Sequence, residues 1–555
     1  MKKNLYFVQA WNDRILTKQM LCLSIMLLVS YLGAVNHMPL LCTMYGEFPG
    51  AQLGKGLASL DFNGDGIDDL VIQESAWNPN GNIDSPQTYY GRLNFHWGGE
   101  DFNASFDASI HGGVKDFSGG TIIALGDINN DGKDDLGYYG NIGSGGVIKV
   151  FRIYFGRTEP SPIPDYELRY TWSQGCEEIY GRPLGDINAD GYDDVGILVR
   201  GHSTDSELFI LDGCSMNLIP AGTTMKAAYP SFISGIGDVN GDGYDDYLVE
   251  RVLQRIGGEH YRITVFFGGE NISSPDSLVI TEDTNNLIEH NVGPLGDLNG
   301  DGIDDFLGWR STGTYRIWYG SSALTPQWDL YIYNDEVSYS YLPRTYTFVH
   351  GDFNGDGYSD IISSNPNFGR RGRAFMWLGG ANMNSTLDMV FYAPASIDEK
   401  FGWEKVAGDF NNDGFCDVAI SQPWADPAPL RTPGRVHVYL GNAELKDTTV
   451  GNEDLTIPSI NESSMWDISL SPNPVSTKDQ DIKIHFTGSG FKELQTAKIE
   501  IYNLRGQMIS EYTIDRASLA NEQYSVKLHN LNAGVYFLRV SRQDGNFATH
   551  RFIVK

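Results

Sequence analysis

The middle of the chain alternates short apolar runs with compact polar segments, and this alternation predicts strands joined by tight turns. Residues 70–72 (Leu-Val-Ile) and 418–420 (Val-Ala-Ile) each follow a polar segment directly and are too short for an amphipathic helix. A second kind of run is aromatic or β-branched and ends in glycine, as in residues 153–156 and 438–441. The pattern therefore indicates an all-β region.

The polar segments share one nine-residue pattern, with Asp at positions 1, 5 and 9, Asn at position 3 and Gly at position 6. We number the seven copies loop 1 to loop 7; they begin at Asp61, Asp127, Asp186, Asp238, Asp297, Asp352 and Asp409. A repeat of about 57 residues implies one supersecondary unit stacked on its neighbours, with room for four short strands. Seven units therefore predict a seven-bladed β-propeller, in which four-stranded sheets pack radially.

The spacing of oxygen side chains within each loop predicts calcium binding. Side chains at odd positions of a tight loop turn inward towards one hard cation, position 7 adds a backbone carbonyl, and Gly at position 6 permits the turn. Without a counter-ion the three carboxylates would repel one another. We therefore expect up to seven structural Ca²⁺ ions, held by Asp61, Asn63, Asp65, Ile67, Asp69, Asp127, Asn129, Asp131, Lys133, Asp135, Asp186, Asn188, Asp190, Tyr192, Asp194, Asp238, Asn240, Asp242, Tyr244, Asp246, Asp297, Asn299, Asp301, Ile303, Asp305, Asp352, Asn354, Asp356, Tyr358, Asp360, Asp409, Asn411, Asp413, Phe415 and Asp417.

Two alternative readings of the loops fit the residues less well. A helical EF-hand or dockerin-like array needs a glutamate at position 12, where this chain has residues such as Ile72 and Ile420. Metal-free turns would also use Asp, Asn and Gly, but would not require three carboxylates in every copy. Position 8 is Asp in five loops and Ser359 or Cys416 in the other two; its side chain should point away from the ion, so we expect these replacements to matter little.

These residues resemble the FG-GAP repeat propeller of integrin α subunits and their bacterial relatives. The best match runs through residues 401–402 (Phe-Gly), 406–408, loop 7 and 436–439, and the resemblance covers residues 45–445. It implies a seven-bladed propeller with calcium in hairpin loops between adjacent strands of a blade. The Phe-Gly hallmark is eroded in most blades, for example to Leu-Gly at residues 53–54.

Net charge, the N-terminal segment and the number of cysteines limit which partners and which cellular location we expect for this protein. The net charge of −31 over 555 residues argues against nucleic acid or an anionic membrane as a partner. Residues 1–34 combine basic residues with an apolar run from 20 to 32, which is typical of a secretory signal peptide. The run is too short to span a bilayer comfortably, so a transmembrane anchor is the less favoured alternative. Beyond that segment four cysteines remain, too few for a disulfide scaffold, although one bridge between Cys176 and Cys214 stays possible.

A different module follows a polar linker at residues 446–465. Residues 466–555 contain about seven short runs with period-two alternation, such as 482–486 and 498–502, which predict a small immunoglobulin-like β-sandwich. Residues 471–474 (Ser-Pro-Asn-Pro), 501–506 and 531–536 resemble the type A C-terminal sorting domain of the type IX secretion system. That resemblance implies the type IX machinery as a partner and export to the outer-membrane surface of a Gram-negative bacterium.

The sequence offers no catalytic constellation, so we predict a protein that is not an enzyme. It has neither a G-x-S-x-G nor an H-E-x-x-H motif, and histidines such as His96 and His437 lie in predicted strands as packing residues. The predicted function is adhesion or ligand binding, with an unidentified extracellular protein or glycan as the ligand. The alternative is a polysaccharide lyase or hydrolase that uses the propeller face, and a third possibility is a self-associating surface-layer component. Trp77, Trp309 and Trp403 could form a sugar platform, although core packing is the default role for such residues.

Overall fold

A computed structural model of the chain falls into two compact units, Met1–Asp447 and Thr448–Lys555, which are described separately. The residues that the structure describes are 37–48, 50–80, 89–113, 116–118, 120–142, 148–171, 176–201, 206–221, 228–255, 258–282, 289–310, 314–333, 348–367, 372–392, 400–424, 433–446, 467–471, 481–487, 496–503, 508–515, 523–528, 534–542 and 547–554. The predicted signal peptide at residues 1–34 lies outside them.

The first unit is built from strands. In chain order they are β1 Leu40–Tyr45, β2 Leu53–Leu60, β3 Asp69–Glu74, β4 Arg92–His96, β5 Ala108–Ile110, β6 Gly120–Gly126, β7 Asp135–Ile142, β8 Ile148–Tyr154, β9 Tyr166–Thr171, β10 Cys176–Gly185, β11 Asp194–Gly201, β12 Glu207–Asp212, β13 Asn217–Pro220, β14 Ala228–Gly237, β15 Asp246–Arg255, β16 Gly258–Phe266, β17 Ser277–Glu282, β18 Glu289–Gly296, β19 Asp305–Arg310, β20 Thr314–Trp318, β21 Leu330–Tyr333, β22 Phe348–Gly351, β23 Asp360–Asn365, β24 Arg373–Trp377, β25 Met389–Tyr392, β26 Lys405–Gly408, β27 Asp417–Gln422 and β28 Arg435–Tyr439.

These strands form seven antiparallel four-stranded sheets among the described residues, one around each predicted loop. Sheet 1 is β2-β3-β4-β5, sheet 2 is β6 to β9, sheet 3 is β10 to β13, sheet 4 is β14 to β17, sheet 5 is β18 to β21 and sheet 6 is β22 to β25. Sheet 7 consists of β26-β27-β28 with β1 as its fourth strand. The first strand of each sheet contacts the first strand of the next, and β26 contacts β2. The sheets therefore close on themselves in the arrangement of a β-propeller, and the predicted all-β class is confirmed.

Hydrophobic side chains fill the spaces between neighbouring sheets. One core cluster joins sheets 1 and 2, with Val71 packed in the same group as Tyr138, and equivalent clusters join each later pair. The cluster that contains Leu70 and Val436 joins sheet 7 back to sheet 1. The second strand of a sheet is buried on both faces because both faces meet a neighbour. In β3, for example, all six residues are buried, including Asp69, Gln73 and Glu74.

The N-terminal strand closes the ring. β1 pairs antiparallel with β28, so that Thr43 stands opposite His437 across 394 residues of chain. His437 is buried and its ring nitrogens contact Thr43 Oγ1 at 2.9 Å and Gln422 Oε1 at 2.7 Å. This pairing gives sheet 7 its fourth strand and covers the edge of β28, which would otherwise be exposed.

The second unit contains seven described strands in two sheets. They are β29 Asp467–Ser471, β30 Asp481–Thr487, β31 Thr496–Asn503, β32 Met508–Asp515, β33 Gln523–Lys527, β34 Gly534–Arg542 and β35 Phe547–Val554. One sheet has the order β29-β30-β33 and the other β32-β31-β34-β35. Alternate side chains such as Ile482 and Ile484, or Ile499 and Ile501, are buried, as the period-two pattern predicted. The immunoglobulin-like topology remains a prediction.

Two further expectations from the sequence concern the cysteines and the membrane. Cys42, Cys176, Cys214 and Cys416 are all free thiols, so the possible bridge between Cys176 and Cys214 is not formed. Across the described ranges, no helix has the length and apolar character needed to cross a membrane.

Candidate metal centres

The seven predicted loops occupy equivalent places in the seven sheets. Each joins the first strand to the second: loop 1 lies between Leu60, where β2 ends, and Asp69, where β3 begins. Position 9 is therefore always the first residue of a second strand. Because the inner strands run side by side around the ring, all seven loops lie at the same end of the sheets.

The carboxylate at position 1 organises the backbone of its own loop. In loop 7 the amide of Gly414 donates to Asp409 Oδ2 at 2.8 Å and the amide of Asp413 donates to Asp409 Oδ1 at 3.0 Å. The bond from the position-6 amide is 2.7–2.8 Å long in every loop. Asp413 at position 5 accepts in turn from the amide of Phe415, at 3.0 Å. Side chains and backbone thus fold each loop into a compact turn.

Two positions in every loop adopt a left-handed backbone. The glycine at position 6 has φ between 81° and 92° in all seven loops, as its role in the sharp turn predicted. Position 4 is also left-handed throughout; it is Gly in four loops, Asn130 and Asn412 in two, and Ala189 in loop 3, where φ is 55°. Asn tolerates this conformation better than Ala, so loop 3 carries local backbone strain.

The aspartate at position 9 is fully buried in every sheet. One oxygen accepts from the amide of the glycine that follows the third strand; Gly98 donates to Asp69 Oδ1 and Gly156 to Asp135 Oδ1, at 2.8 and 2.9 Å. In most loops the other oxygen accepts from a loop amide, as Asp246 Oδ2 does from Val239 at 3.0 Å. The residue therefore ties the loop to two strands of its sheet, a role that its spacing alone did not reveal.

Burial and like charge together raise the pKa of these position-9 carboxyls. Burial is the larger cause, the carboxylates at positions 1 and 5 of the same loop add to it, and backbone hydrogen bonds oppose it. The pKa rises to about 7 in Asp69, Asp194, Asp246, Asp305 and Asp417 and to about 8 in Asp135, and it rises well above its usual range in Asp360. A carboxyl so placed ionises readily only when a positive charge compensates it.

Loops 3 and 7 each leave one oxygen of the position-9 carboxyl buried without a hydrogen-bond partner among the described atoms, and loop 3 shows the local reason. The amide of Ile187 is bonded to Gly185 instead, at 3.2 Å, and Asp194 Oδ2 is buried without a hydrogen-bond partner among the described atoms. Such an orphaned carboxylate oxygen is costly unless a cation or water satisfies it. It lies on the same turn as Asp186 and Asp190, whose charges raise its pKa.

The donor chemistry of the loops fits a hard divalent cation. Side chains at positions 1, 3, 5 and 9 supply only carboxylates and amides, whose oxygens match the ligand preference of Ca²⁺. Over the described ranges, no three or more His, Cys, Asp or Glu side chains are already clustered tightly enough to enclose a metal ion. In the present geometry the carboxylates at positions 1 and 5 face backbone amides, and several Asn side chains, such as Asn411, donate to position 5.

The position-8 side chain links neighbouring loops around the ring. Asp134 Oδ2 in loop 2 accepts from the amide of Asp61 in loop 1 at 3.0 Å, and Asp245 Oδ2 accepts from Asp186 at 2.9 Å. The same bond joins Asp193 to Asp127, Asp304 to Asp238 and Asp68 to Asp409, at 2.8, 3.1 and 2.8 Å. The side chain does point away from its own loop, as expected, but it contacts the preceding sheet in the ring.

Ser359 and Cys416 interrupt this chain of carboxylates. Their backbone amides still donate to Asp297 and Asp352 of the preceding loops, at 2.9 and 3.0 Å, but neither side chain supplies the carboxylate bond. The expectation that these replacements matter little therefore overlooked an inter-sheet contact. The sequence does contain a sign of this contact, because a glycine directly precedes most of the loops. At Gly185, for example, an added Cβ would lie only 2.0 Å from Asp245 Oδ2, so glycine leaves the space that the carboxylate of the neighbouring sheet occupies.

A cavity of about 430 Å³ lies among the inner strands. Its lining is mainly apolar, including Leu57 and Phe348, with a few charged residues such as Arg182, Glu404 and Lys405. Arg182 donates to Tyr139 Oη at 3.0 Å. This size and composition are typical of a small-molecule pocket, although the described residues that line it form no catalytic constellation.

The remaining residues singled out in the sequence have mainly packing roles. His96 and His437 are buried, and burial lowers the pKa of each to about 4. Trp77 donates from Nε1 to Glu47 at 2.9 Å, while Trp403 meets Trp424 with ring centroids 4.0 Å apart. Trp77 and Trp403 belong to separate groups of contacts and do not share a platform. The side chain of Trp309, the third predicted member, lies outside the described residues.

Comparisons with protein families match both parts of the chain. Residues 345–375 match the FG-GAP repeat, and residues 469–555 match the secretion system C-terminal sorting domain. The first match covers the start of sheet 6, including loop 6, and the second covers almost all of the second unit.

Curated relatives include integrin α subunits. The chain is 25% identical over 243 residues to integrin alpha pat-2 of Caenorhabditis briggsae, covering 37% of this chain, and 27% identical over 163 residues to integrin alpha-V of Gallus gallus, covering 27%. It is also 32% identical over 109 residues, 16% of this chain, to phosphatidylinositol-glycan-specific phospholipase D of Dictyostelium discoideum. These matches span only 18%, 15% and 12% of the respective relatives.

Among solved structures, the chain is similar to a BBS1N–ARL6DN complex soaked with mercury, with a TM-score of 0.39 and 12% identity, covering 74% of this chain and 98% of that one. It is also similar to the BP39L lectin of Burkholderia pseudomallei, with a TM-score of 0.42 and 11% identity, covering 71% and 100%. The described sheets have the arrangement of a β-propeller, and the matches agree with it: this chain contains an FG-GAP repeat match at residues 345–375 and a secretion system C-terminal sorting domain match at residues 469–555, and part of it is similar to integrin α subunits.

Proposed function

We propose that the chain is a secreted, calcium-braced β-propeller that binds ligands at the bacterial surface as an adhesion or ligand-capture module. The observation that carries the calcium proposal is the buried carboxyl at position 9, repeated in seven loops and always accompanied by two further carboxylates. In Asp194 one buried oxygen also lacks a donor among the described atoms. A bound cation would supply the positive charge that lets these groups ionise inside the fold.

The protein groups in each proposed centre have separate tasks. The side chains at positions 1, 3 and 5 and the carbonyl at position 7 would provide ligands from the turn, and position 9 would provide one from the second strand. Because position 9 also accepts from the glycine after the third strand, ligation would brace three strands of a sheet together. Binding to the folded state alone stabilises that state by mass action.

Calcium titration of the full secreted chain tests this proposal. Asp409→Ala and Asp413→Ala should each remove about one equivalent of Ca²⁺ in calorimetry and lower the melting temperature in calcium, but should have much less effect in excess EDTA. Asp101→Ala, at an exposed aspartate outside the seven loops, makes the same chemical change and is the matched control. Equal losses with and without chelator, or no calcium uptake by the wild type, would refute metal ligation.

Export through the type IX machinery follows from the C-terminal match. Deleting residues 466–555 should leave the propeller in the periplasm, because the sorting domain is what that machinery handles. Immunoblots of periplasmic, surface and medium fractions would measure this. Normal surface display of the shortened chain would contradict the proposal, and a variant lacking only residues 450–460 of the linker provides the control.

A binding role is favoured over catalysis by the similarity to integrin α subunits. The competing candidate is a polysaccharide lyase or hydrolase that uses the cavity among the inner strands, and the relative named as a phospholipase D raises a second hydrolytic activity to assay. Incubating the calcium-loaded chain with acidic and neutral glycans and with a glycosylphosphatidylinositol substrate separates these roles. Saturable binding without product supports adhesion, whereas turnover abolished by Glu404→Gln would support an enzyme.

A further inference from the structure

The outer strands of sheets 5, 6 and 7 share two features: they carry no charged residue and they end in an aromatic ring. Their sequences are LYIY in β21, MVFY in β25 and LLCTMY in β1. The outer strands of sheets 1 and 3 are also uncharged, but their sequences, ASI and NLIP, contain no aromatic residue. The outer strands of sheets 2 and 4, YELRYT and SLVITE, carry charged residues. Three consecutive sheets therefore present uncharged aromatic edges in a strongly acidic chain.

Each of the three edges exposes a tyrosine. The exposed fraction is 42% for Tyr331, 62% for Tyr392 and 60% for Tyr45. In sheet 5 Trp328 adds a second ring, 37% exposed, with its centroid 5.8 Å from that of Tyr331. Tyrosine and tryptophan are enriched at binding surfaces because each combines an apolar ring with a hydrogen-bonding group.

An arginine stands directly opposite each of these tyrosines on the third strand. The pairs are Arg316 with Tyr331, Arg373 with Tyr392 and Arg435 with Tyr45. Residues directly opposite in an antiparallel pair project from the same face. The guanidinium of Arg373 lies 5.2 Å from the ring centroid of Tyr392 and that of Arg435 lies 5.5 Å from Tyr45, while Arg316 lies 6.0 Å from Trp328.

Sheets 2 and 4 also carry an arginine on the third strand, but the residue opposite it on the outer strand is acidic. In sheet 2 the residue opposite Arg152 is Glu167, and the two form an ion pair with a 2.6 Å contact. In sheet 4 the residue opposite Arg262 is again a glutamate, Glu282. Sheets 5 to 7 place an exposed aromatic ring there instead of a carboxylate. The change from Glu to Tyr in three neighbouring sheets creates a surface, which we call the aromatic edge and define as Tyr331, Trp328, Tyr392 and Tyr45 with Arg316, Arg373 and Arg435.

We propose that the aromatic edge binds a neutral polysaccharide, a ligand class that rests on the binding function proposed above. A pyranose ring presents one apolar face of C–H groups, which suits an exposed tyrosine, and hydroxyl groups around its rim, which accept from the planar fork of arginine donors. Three tyrosine–arginine pairs on consecutive sheets suit a polymer of repeating units, because a chain that engages several pairs gains affinity through effective concentration. The pairs of sheets 6 and 7 occupy the same register, whereas that of sheet 5 is shifted by two residues along its strands.

The surface fits other partners less well. The rings belong to separate sheets and do not form the single large apolar patch on which a stable protein interface depends. A polyanion would be repelled by the net charge of −31 on the whole chain. A neutral sugar polymer needs neither a continuous apolar area nor charge complementarity.

The proposal is tested with the full secreted chain in calcium, using affinity electrophoresis through gels that contain xylan, mannan, laminarin or dextran. Polygalacturonate and heparin gels at low and high salt serve as acidic comparisons. The variant Tyr45→Ala/Tyr331→Ala/Tyr392→Ala should weaken binding to at least one neutral polysaccharide about tenfold or more. Because all three side chains are exposed, the melting temperature should change little, and circular dichroism checks the fold.

Two variants provide matched controls. Phe106→Ala removes a 44% exposed ring beside Arg92, whose guanidinium is ion-paired to Glu74 at 2.6 Å, and Arg169→Gln removes an outer-strand arginine from sheet 2. Both should retain wild-type binding, whereas Arg373→Gln should weaken it.

The outcomes separate this inference from the proposed function. Binding to acidic gels alone, lost at high salt, would overturn the choice of a neutral ligand, and so would the absence of retardation in every neutral gel. Unchanged retardation of the triple tyrosine variant would overturn the assignment of the surface. In either case, continued adhesion of the displayed protein to cell surfaces would leave the binding function in place, whereas loss of all adhesion by the wild type would count against that function itself.

Discussion

At the residue scale, backbone conformation explains why the loops tolerate so few residue types. Glycine at position 6 could be anticipated because a sharp turn needs a positive φ. The left-handed backbone at position 4 was not anticipated, since Gly, Asn and Ala occupy it in different copies. Only the shared conformation of the seven loops shows that this position has a common requirement.

Ala189 is the residue that satisfies this requirement least. Its φ is 55°, where an L-residue with a Cβ is strained by about 1 kcal/mol. Ala189→Asn should therefore raise the free energy of unfolding by about 0.5–1 kcal/mol, measured by urea denaturation of the calcium-loaded chain. The reverse change at an equivalent position, Asn412→Ala, should lower it. A loss of stability in Ala189→Asn would show that another contact governs this turn.

At the scale of single elements, the loops and strands explain one another. A second strand is buried on both faces because cores lie on either side. Its first residue is a buried aspartate that accepts hydrogen bonds from the loop and from the end of the third strand. The sequence predicted the strands from short apolar runs. It did not predict the partner of position 9, because the separation along the chain between position 9 and the glycine after the third strand varies, from 15 residues for Asp305 and Gly320 to 29 for Asp69 and Gly98.

The carboxylates at position 8 connect elements of different sheets. Asp245→Ala removes the acceptor for the amide of Asp186 and leaves that partly buried donor without its partner, which should lower the free energy of unfolding by about 1–3 kcal/mol. Ser359→Ala, where no carboxylate bond exists, should have a much smaller effect. Equal losses in the two variants, measured by chemical denaturation in calcium, would show that the inter-sheet bond contributes nothing specific.

At the scale of the whole molecule, closure of the ring depends on a contact between the two ends of the first unit. β1 completes sheet 7, and His437 lies buried between Thr43 on β1 and Gln422 on β27. Burial, reinforced by Arg435, lowers the pKa of His437 to about 4. The contact that joins β1 to the rest of sheet 7 therefore holds the His437 side chain in its neutral form.

This arrangement predicts a loss of stability in mild acid. The folded state keeps His437 neutral while the unfolded chain takes up a proton below about pH 6.5, so stability falls as pH drops from about 6.5 towards 4 and is unaffected above that range. At pH 5 this histidine should lower the free energy of unfolding by about 2 kcal/mol. His437→Gln should show a correspondingly smaller difference between pH 7 and pH 5 in urea denaturation.

His96 and His350, whose pKa values burial also lowers to about 4, act in the same direction. The informative quantity is therefore the difference in pH dependence between the wild type and His437→Gln rather than the pH profile of either protein. Parallel profiles for the two proteins would contradict a role for His437 in acid sensitivity.

By itself the sequence determined the all-β class, the number and place of the loops, and the sorting module at the C-terminus. These features follow from local patterns: turn residues at fixed offsets, short apolar runs and motifs that need no knowledge of distant neighbours. Only the tertiary structure decided that β1 joins β28, that position 8 bonds to the preceding loop, and that tyrosines replace glutamate beside arginine on three neighbouring edges. Those features depend on which strands lie side by side and in what register, and contacts across hundreds of residues leave no periodic trace in the chain.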